Sequence, residues 1–434
     1  MNKSQIITNS ELLINRILGL LISLLSVPFI ISNCGIENYG IFIVISSISI
    51  FLSVSDFGIG NGIVNSLAGA FAQNNKNQVN VLLTSVLAFS IFNAGLIIIV
   101  YYLFFDRFDF NNILNLSLGT VTVNQFTKIA FLGAALTLIG NVSRKLLMAS
   151  LQHAELSRFQ LFIIFGTNIG LVLTSRNSNP LAGMLLVSLV LPSIVGIFHL
   201  ILKIEFDSSI RISYHHISYL KIWHLIRESS LFFFIQSAAV INFQIYSILI
   251  NHFLNPSEVA EYAVVLKIGS VPFILVSAVV VKIWGETASF LALSKFDSAY
   301  RNLIQNVKRV TLFTSLAMVI FIIFGQSLIR IWTGNQISPS KELILANAIW
   351  IPISCFMQLL GMFANGARET KFLMLTTSLF TISNLSLAFY FLKFEGNISG
   401  PMWSNSISAL IFYMVPGFLM IKRYKSKSKD TDVV

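Results

Sequence analysis

Charge is scarce in this sequence. Charged residues make up 11% of its 434 residues, against about a quarter in a soluble globular domain. With 55% hydrophobic residues and a mean hydropathy of +0.79, the chain has too little polar surface to live in water. A soluble multidomain protein and a disordered chain are both excluded. Cysteine is nearly absent: Cys34 and Cys355 lie far apart inside apolar runs, so neither a disulfide framework nor a zinc site is available. The six histidines fall in or near loops, and none stands beside a credible nucleophile. His215 and His216 are adjacent and point in different directions on a helix, so they read as interfacial residues and not as a metal site. Gly58-Ile59-Gly60-Asn61-Gly62 has the wrong spacing for a dinucleotide fingerprint and follows a membrane helix instead of a strand. No catalytic, metal or cofactor site is expected.

What the chain has in abundance is long apolar runs. A helix needs about 20 apolar residues to cross the hydrocarbon core. Runs of that kind predict about twelve transmembrane helices, at 11–33, 40–61, 81–105, 128–151, 158–175, 180–203, 229–252, 259–283, 308–330, 342–366, 372–393 and 398–421. The first is too long for a cleavable signal peptide and reads as a retained helix. Pro28, Pro192, Pro272, Pro352 and Pro416 lie in or close to these spans, where a freed carbonyl permits a bend.

The 29 basic residues outnumber the 18 acidic ones, and their placement explains the formal charge of +11. With the N-terminus in the cytoplasm, Arg107, Lys128, Arg176, Arg330, Lys341 and Lys393 fall on the far side. Arg16 and Lys267 fall inside the membrane. All the rest, Arg144 and Lys145 among them, fall on the cytoplasmic side. That bias orients the chain with both termini cytoplasmic and brings it against anionic lipids. A nucleic-acid role is not needed. The polar break at 205–228 separates two halves, 1–204 and 229–421, with a basic tail at 422–434. Ile217, Leu220 and Trp223 on one face of the break suit a helix lying in the cytoplasmic interface. A weak repeat lays Gly35–Ile41 on Glu258–Val264, both at the start of helices running inward.

A buried charge is expensive in a bilayer and asks for a reason. Arg16 lies roughly 8 Å into the first helix at 1.5 Å per residue. Arg16 and Asp56 are each twenty residues from Ile36, the centre of the first hairpin, so they share a depth and could pair. Arg16 reads either as a structural or snorkelling arginine or as a substrate contact. Lys267 lies roughly 12 Å from the outer end of the eighth helix, with no carboxylate at that depth. It reads as the wall of a wet cavity in preference to a structural lysine, and Gln236, Asn242 and Gln244 of the seventh helix join it there. Glu286 lies one turn from Lys282 and pairs along its own helix. Fixed cations inside the membrane favour an anionic cargo, and a phosphate-bearing lipid qualifies.

Arg16, Pro28, Gly35, Tyr39-Gly40 and Asp56-Phe57-Gly58-Ile59 resemble the N-terminal signature of bacterial polysaccharide flippases. These are O-antigen and capsule repeat-unit translocases of the multidrug/oligosaccharidyl-lipid/polysaccharide exporter superfamily. Beyond residue 80 the resemblance rests on helix count, size and the Tyr262…Lys267 segment. It implies an all-α polytopic protein whose two six-helix bundles form a V around a central cavity. It implies a cargo of undecaprenyl-diphosphate-linked oligosaccharide, moved across the cytoplasmic (inner) membrane, and work beside polysaccharide polymerase components. Basic residues on the first and eighth helices of related lipid II flippases face the cavity, which implies substrate contacts for Arg16 and Lys267. Asp56, Pro28, Tyr39, Gly40 and Gly58 would then be structural or gating positions.

Two rivals stand beside this reading. A multidrug or cation antiporter of the same superfamily predicts a deep, unpaired acid, and none is present in the sequence. A polysaccharide polymerase or ligase predicts a large outer loop with clustered charge, and the longest outer stretch, 106–127, holds mainly Asp106, Arg107 and Asp109.

Overall fold

The computed structural model describes residues 3–56, 58–116, 118–206 and 210–431, and every regular element among them is helical. α1 (Lys3–Cys34) runs unbroken through Pro28. α2 (Ile36–Leu52) ends in a 3₁₀ turn at Ser53–Asp56, and α3 (Ile59–Ala72) continues beyond it. α4 (Lys76–Val100) passes into a π turn, Tyr101–Phe105; α5 (Phe110–Leu114), α6 (Thr120–Ala149) and α7 (His153–Thr174) follow. α8 (Pro180–Leu185), a π turn at Leu186–Val190 and α9 (Leu191–Phe206) form the next crossing. After α10 (Tyr219–Phe253) come α11 (Pro256–Gly269), α12 (Val271–Ala292), α13 (Phe296–Trp332), α14 (Lys341–Gly366) and α15 (Thr370–Glu395). α16 (Gly400–Ala409), a π turn at Leu410–Met414 and α17 (Val415–Thr431) complete the chain.

Among the described residues eleven helices are long and apolar enough to cross a membrane. This is a multi-pass membrane protein. The expected span 229–252 lies within α10 and is not one of those eleven. The helices outrun the apolar windows that predicted them. The expected 81–105 is helical from Lys76, 128–151 from Thr120 and 308–330 from Phe296. A lysine or arginine ends an apolar run but is a good helix former, and its stem can reach the interface.

The chain divides into two compact units, Met1–Val240 with Asn255–Ser257, and Ile241–Leu254 with Glu258–Val434. The division falls inside α10. Residues 219–228, expected in an interfacial connection, form the first turns of that helix, because no Gly or Pro interrupts the sequence from Tyr219 to Phe253. Tyr219, Leu220 and Trp223 are exposed there. The connection before it is fastened to α4: the Arg211 N–H donates to Asn80 Oδ1 at 2.9 Å and the Ser218 N–H to Ser85 Oγ at 2.9 Å. Ile210 and Leu225 enter an apolar core with Ile63, Leu67, Leu83 and Val142.

Each unit, taken alone, repeats one order of elements. Asn74 (φ 52°) turns α3 into α4, and Ser294 (φ 56°) turns α12 into α13. Leu151 (φ 59°) joins α6 to α7, and Arg368 (φ 57°) joins α14 to α15. All four hairpins carry the same 6→1 backbone closure: Asn75 N–H to Ala70 O, Gln152 N–H to Leu147 O, Lys295 N–H to Phe290 O, and Glu369 N–H to Ala364 O. Each unit also places a π turn in its last crossing, at Leu186–Val190 and Leu410–Met414. The alignment of Gly35–Ile41 with Glu258–Val264 superposes Tyr39 on Tyr262. Both are buried near the start of their helix. These shared turns support an internal repeat far better than the few sequence identities do.

Candidate functional site

The two motifs that carry the resemblance are packing and turn devices in the first unit. A Cβ on Gly40 would lie 1.8 Å from the Pro256 carbonyl oxygen, so the backbones meet there and only glycine fits. Tyr39, one residue before it, is buried. Gly58 has φ +73°, and a Cβ would meet the Ser229 carbonyl oxygen at 2.7 Å. Its N–H donates to Asp56 Oδ1 at 2.9 Å, which closes a tight turn between the 3₁₀ segment and α3. Phe57 lies outside the described residues. Pro28 sits inside α1 two residues after Ser26, whose hydroxyl donates to Asn168 Oδ1 at 2.6 Å and holds α1 on α7.

The expected pairing of Arg16 with Asp56 is not formed. Asp56 Oδ2 lies 3.3 Å from Lys145 Nζ on α6. Equal depth says nothing of which way a side chain faces, and the 3₁₀ turn aims the carboxylate at α6. Arg16 is exposed on α1. It lines a groove of about 300 Å³ against α7, with Asn15, His153, Ser157 and Gln160. The structure thus leaves the Arg16 guanidinium open to a ligand on that face.

Lys267 is half-buried on α11 in the second unit, and among the described residues it makes no ion pair. Gln236 belongs to the first unit and Gln244 to the second, where it is half-buried.

Asn242 requires a correction. It is 4% exposed, its amide donates to Thr381 Oγ1 at 2.8 Å, and its Oδ1 accepts from Asn384 at 3.0 Å. The same Asn384 amide nitrogen also lies within hydrogen-bond distance of Asn405 Oδ1 (2.8 Å) and the Tyr246 hydroxyl, so its two hydrogens are shared among three acceptors, and its Oδ1 accepts from Ser404 Oγ at 2.7 Å. Asn242 therefore belongs to a closed side-chain network joining α10, α15 and α16, not to a cavity wall. Unsatisfied amides are costly in hydrocarbon, and these satisfy one another. The signal was visible as lone amides in three separate spans, but not the fact that they meet.

Two further acids in the helices face basic groups, whereas Glu261, half-buried on α11, accepts from the Ser340 N–H at 3.3 Å. Glu155 lies 2.7 Å from Lys203 Nζ and 3.3 Å from His199 Nε2, and Glu369 lies 3.4 Å from Arg423. His199 Nδ1 lies 2.6 Å from Ser143 Oγ, so Ser143, His199 and Glu155 stand in the order of a hydrolase triad. Ser143 is only 1% exposed, which leaves it no room for a scissile bond. The three residues hold α6, α7 and α9 together.

No protein-family model matches the chain. A Salmonella typhi protein named "Putative O-antigen transporter" is 21% identical, with 94% of this chain and 93% of the relative covered. A Salmonella typhimurium protein of the same name is also 21% identical, over 93% of this chain and 94% of the relative. Among solved structures, a multidrug resistance MATE family transporter of the MOP superfamily, in an inward-facing conformation, matches with a TM-score of 0.76 at 13% identity, covering 94% of this chain and 96% of that one. A MOP superfamily transporter from Pyrococcus furiosus, described by the words "Reverse polarity of binding pocket suggests different function", matches with a TM-score of 0.62 at 14% identity, covering 96% of both chains. The chain has the all-helical fold of MOP-superfamily transporters. The resemblance to polysaccharide flippases, first seen in the opening eighty residues, extends over nearly its whole length.

Proposed function

We propose that this protein is a transporter, not an enzyme, and that it moves an undecaprenyl-diphosphate-linked oligosaccharide from the cytoplasmic to the outer leaflet of a bacterial cytoplasmic membrane. The observation that carries this reading is the unpaired cation at Lys267. Among the described residues Lys267 is half-buried and makes no ion pair, whereas Asp56, Glu155 and Glu369 each face a lysine or arginine. A fixed cation within the hydrocarbon zone attracts an anion and repels a cationic drug. Moving an ion unaided into hydrocarbon costs tens of kcal/mol by simple solvation arguments, so a diphosphate head needs such a partner while its polyprenyl tail stays in lipid. The names of the Salmonella relatives support the same cargo class. Lys267, Arg16, Gln244 and Gln236 are its candidate contacts, exposed to the two faces in alternation. Anionic lipids, and polymerase components that consume the unit, are its expected neighbours, with both termini in the cytoplasm.

The multidrug transporters of this fold favour a second reading, cation export. Two measurements decide between them. Deleting the protein should make lipid-linked units accumulate facing the cytoplasm, and Lys267→Ala should do the same at normal protein level, with Lys267→Arg restoring part of the transport. Units that still reach the outer leaflet in the deletion reject translocation. Lost small-molecule export with normal polysaccharide favours the drug reading, and accumulation on the outer side favours a polymerase or ligase.

A further inference from the structure

In the first unit, α6 and α9 touch backbone to backbone where Gly140 meets Gly196. About two turns earlier the π turn Leu186–Val190 widens the crossing, a distortion frequent at functional sites. Between α2, α6, α7 and this turn lies a cavity of about 170 Å³. Three donors reach it without a protein partner among the described residues: Arg144 and Asn141, three residues apart on one face of α6, and Ser49 of α2. Ser53 and Ser188, also in the lining, give their hydroxyl hydrogens to the carbonyls of Ile50 (2.6 Å) and Leu185 (3.3 Å). Their oxygens are left to accept.

We propose that the Arg144 cavity is a subsite for a phosphate carried on a hydroxylated group. Arg144 offers its fork to two phosphate oxygens, Asn141 and Ser49 donate to the remaining ones, and Ser53 and Ser188 take hydroxyls of the group that bears it. A carboxylate, with two oxygens in one plane, would leave part of this donor set idle. The volume is below the 300–1,000 Å³ of a drug-sized pocket, so the cavity takes one head group and not an oligosaccharide. Arg144 lies five residues from the end of α6 at Ala149, roughly 8 Å in, within reach of a head group at that membrane face. The assignment goes beyond the translocation reading and stands without it. A resident phospholipid and a phosphate-bearing cargo supply the same chemistry.

The test is binding of radiolabelled inorganic diphosphate to the full-length protein in maltoside micelles, at constant ionic strength. Wild type binds, Arg144→Gln loses at least tenfold in affinity, as expected for a hydrogen-bonded charge, and Arg144→Lys keeps part of it. If Arg144→Gln fails to fold, Asn141→Leu with Ser49→Ala gives the same comparison. Displacement by a polyprenyl diphosphate and not by phosphatidylglycerol assigns the subsite to the cargo; displacement by phosphatidylglycerol as well assigns it to a bilayer lipid. Equal binding by wild type and Arg144→Gln overturns the proposal, as does equal displacement by acetate, or no binding to wild type at millimolar diphosphate.

Discussion

Replacing Asn384 with Leu removes the hub of the second unit's polar network, and the cost can be worked from its bonds. Asn384 donates to Asn242, Tyr246 and Asn405 and accepts from Ser404. Side-chain hydrogen bonds between membrane helices average about 0.6 kcal/mol, and the two amide hydrogens and the oxygen of Asn384 allow three full bonds, roughly 1.8 kcal/mol. The expected loss is therefore roughly 2 kcal/mol, more than one factor of ten in the unfolding equilibrium. Asn242→Leu removes the bonds to Thr381 and Asn384 and should cost about 1 kcal/mol. The double variant should lose less than the sum, because the two residues share a bond. Reversible unfolding of the full-length protein in mixed micelles, with titrated SDS, measures all three. An Asn384→Leu protein within about 0.5 kcal/mol of wild type would show the network to be idle. An Asn242→Leu protein of intact stability that no longer translocates would make Asn242 a ligand.

Lys145→Met leaves Asp56 without its cation in a partly buried site. It should cost about 2 kcal/mol, less than the 3–5 of a fully buried pair, and adding Asp56→Asn should recover part of that in the same unfolding assay; an unchanged single variant would show the pair to be idle. Gly40→Ala drives a Cβ into the Pro256 carbonyl and should lose 1–3 kcal/mol, seen as a drop of a few degrees in Tm, whereas a Tm equal to wild type would mean the backbones part freely. Arg16→Ala, at an exposed position, should keep stability within about 0.5 kcal/mol while lowering the rate at which lipid-linked units reach the outer leaflet; an unchanged rate removes Arg16 from the cargo path.

The membrane-spanning fold could be read from the sequence because hydrocarbon allows few alternatives. A long apolar run with its backbone in lipid has to be a helix, so most spans emerged from hydropathy, although α4, α6 and α13 begin before their apolar windows and the expected 259–283 is divided between α11 and α12. The break at 205–228 was harder to read. Its charges and its exposed Tyr219 and Trp223 look like a separate interfacial helix, yet nothing between Tyr219 and Phe253 stops a helix from propagating. The internal repeat was hidden for a different reason. It is written in backbone geometry, in Leu151 and Arg368 at positive φ and in two π turns, and side-chain identities at such turns are free to differ.

Depth can be counted along a helix, whereas azimuth depends on the neighbours, and the candidate site divides along that line. Arg16 and Asp56 lie twenty residues either side of Ile36, but Asp56 faces Lys145 on α6 and Arg16 faces α7. Asn242, Asn384 and Asn405 each look from sequence like a residue waiting for a polar ligand. Packed together they need none, and the same logic removes Ser26 and Asn168 from the list of free groups. A polar residue in a span is therefore informative only after its partners are subtracted. Subtraction leaves Lys267, Arg16 and Arg144 among the unpaired cations of the described residues, while Asp56, Glu155 and Glu369 are consumed in pairs. Charge left over after internal pairing must be met by something outside the chain. For a cation in a low-dielectric setting that partner is an anion, which is why Lys267 carries more of the functional argument than any single motif.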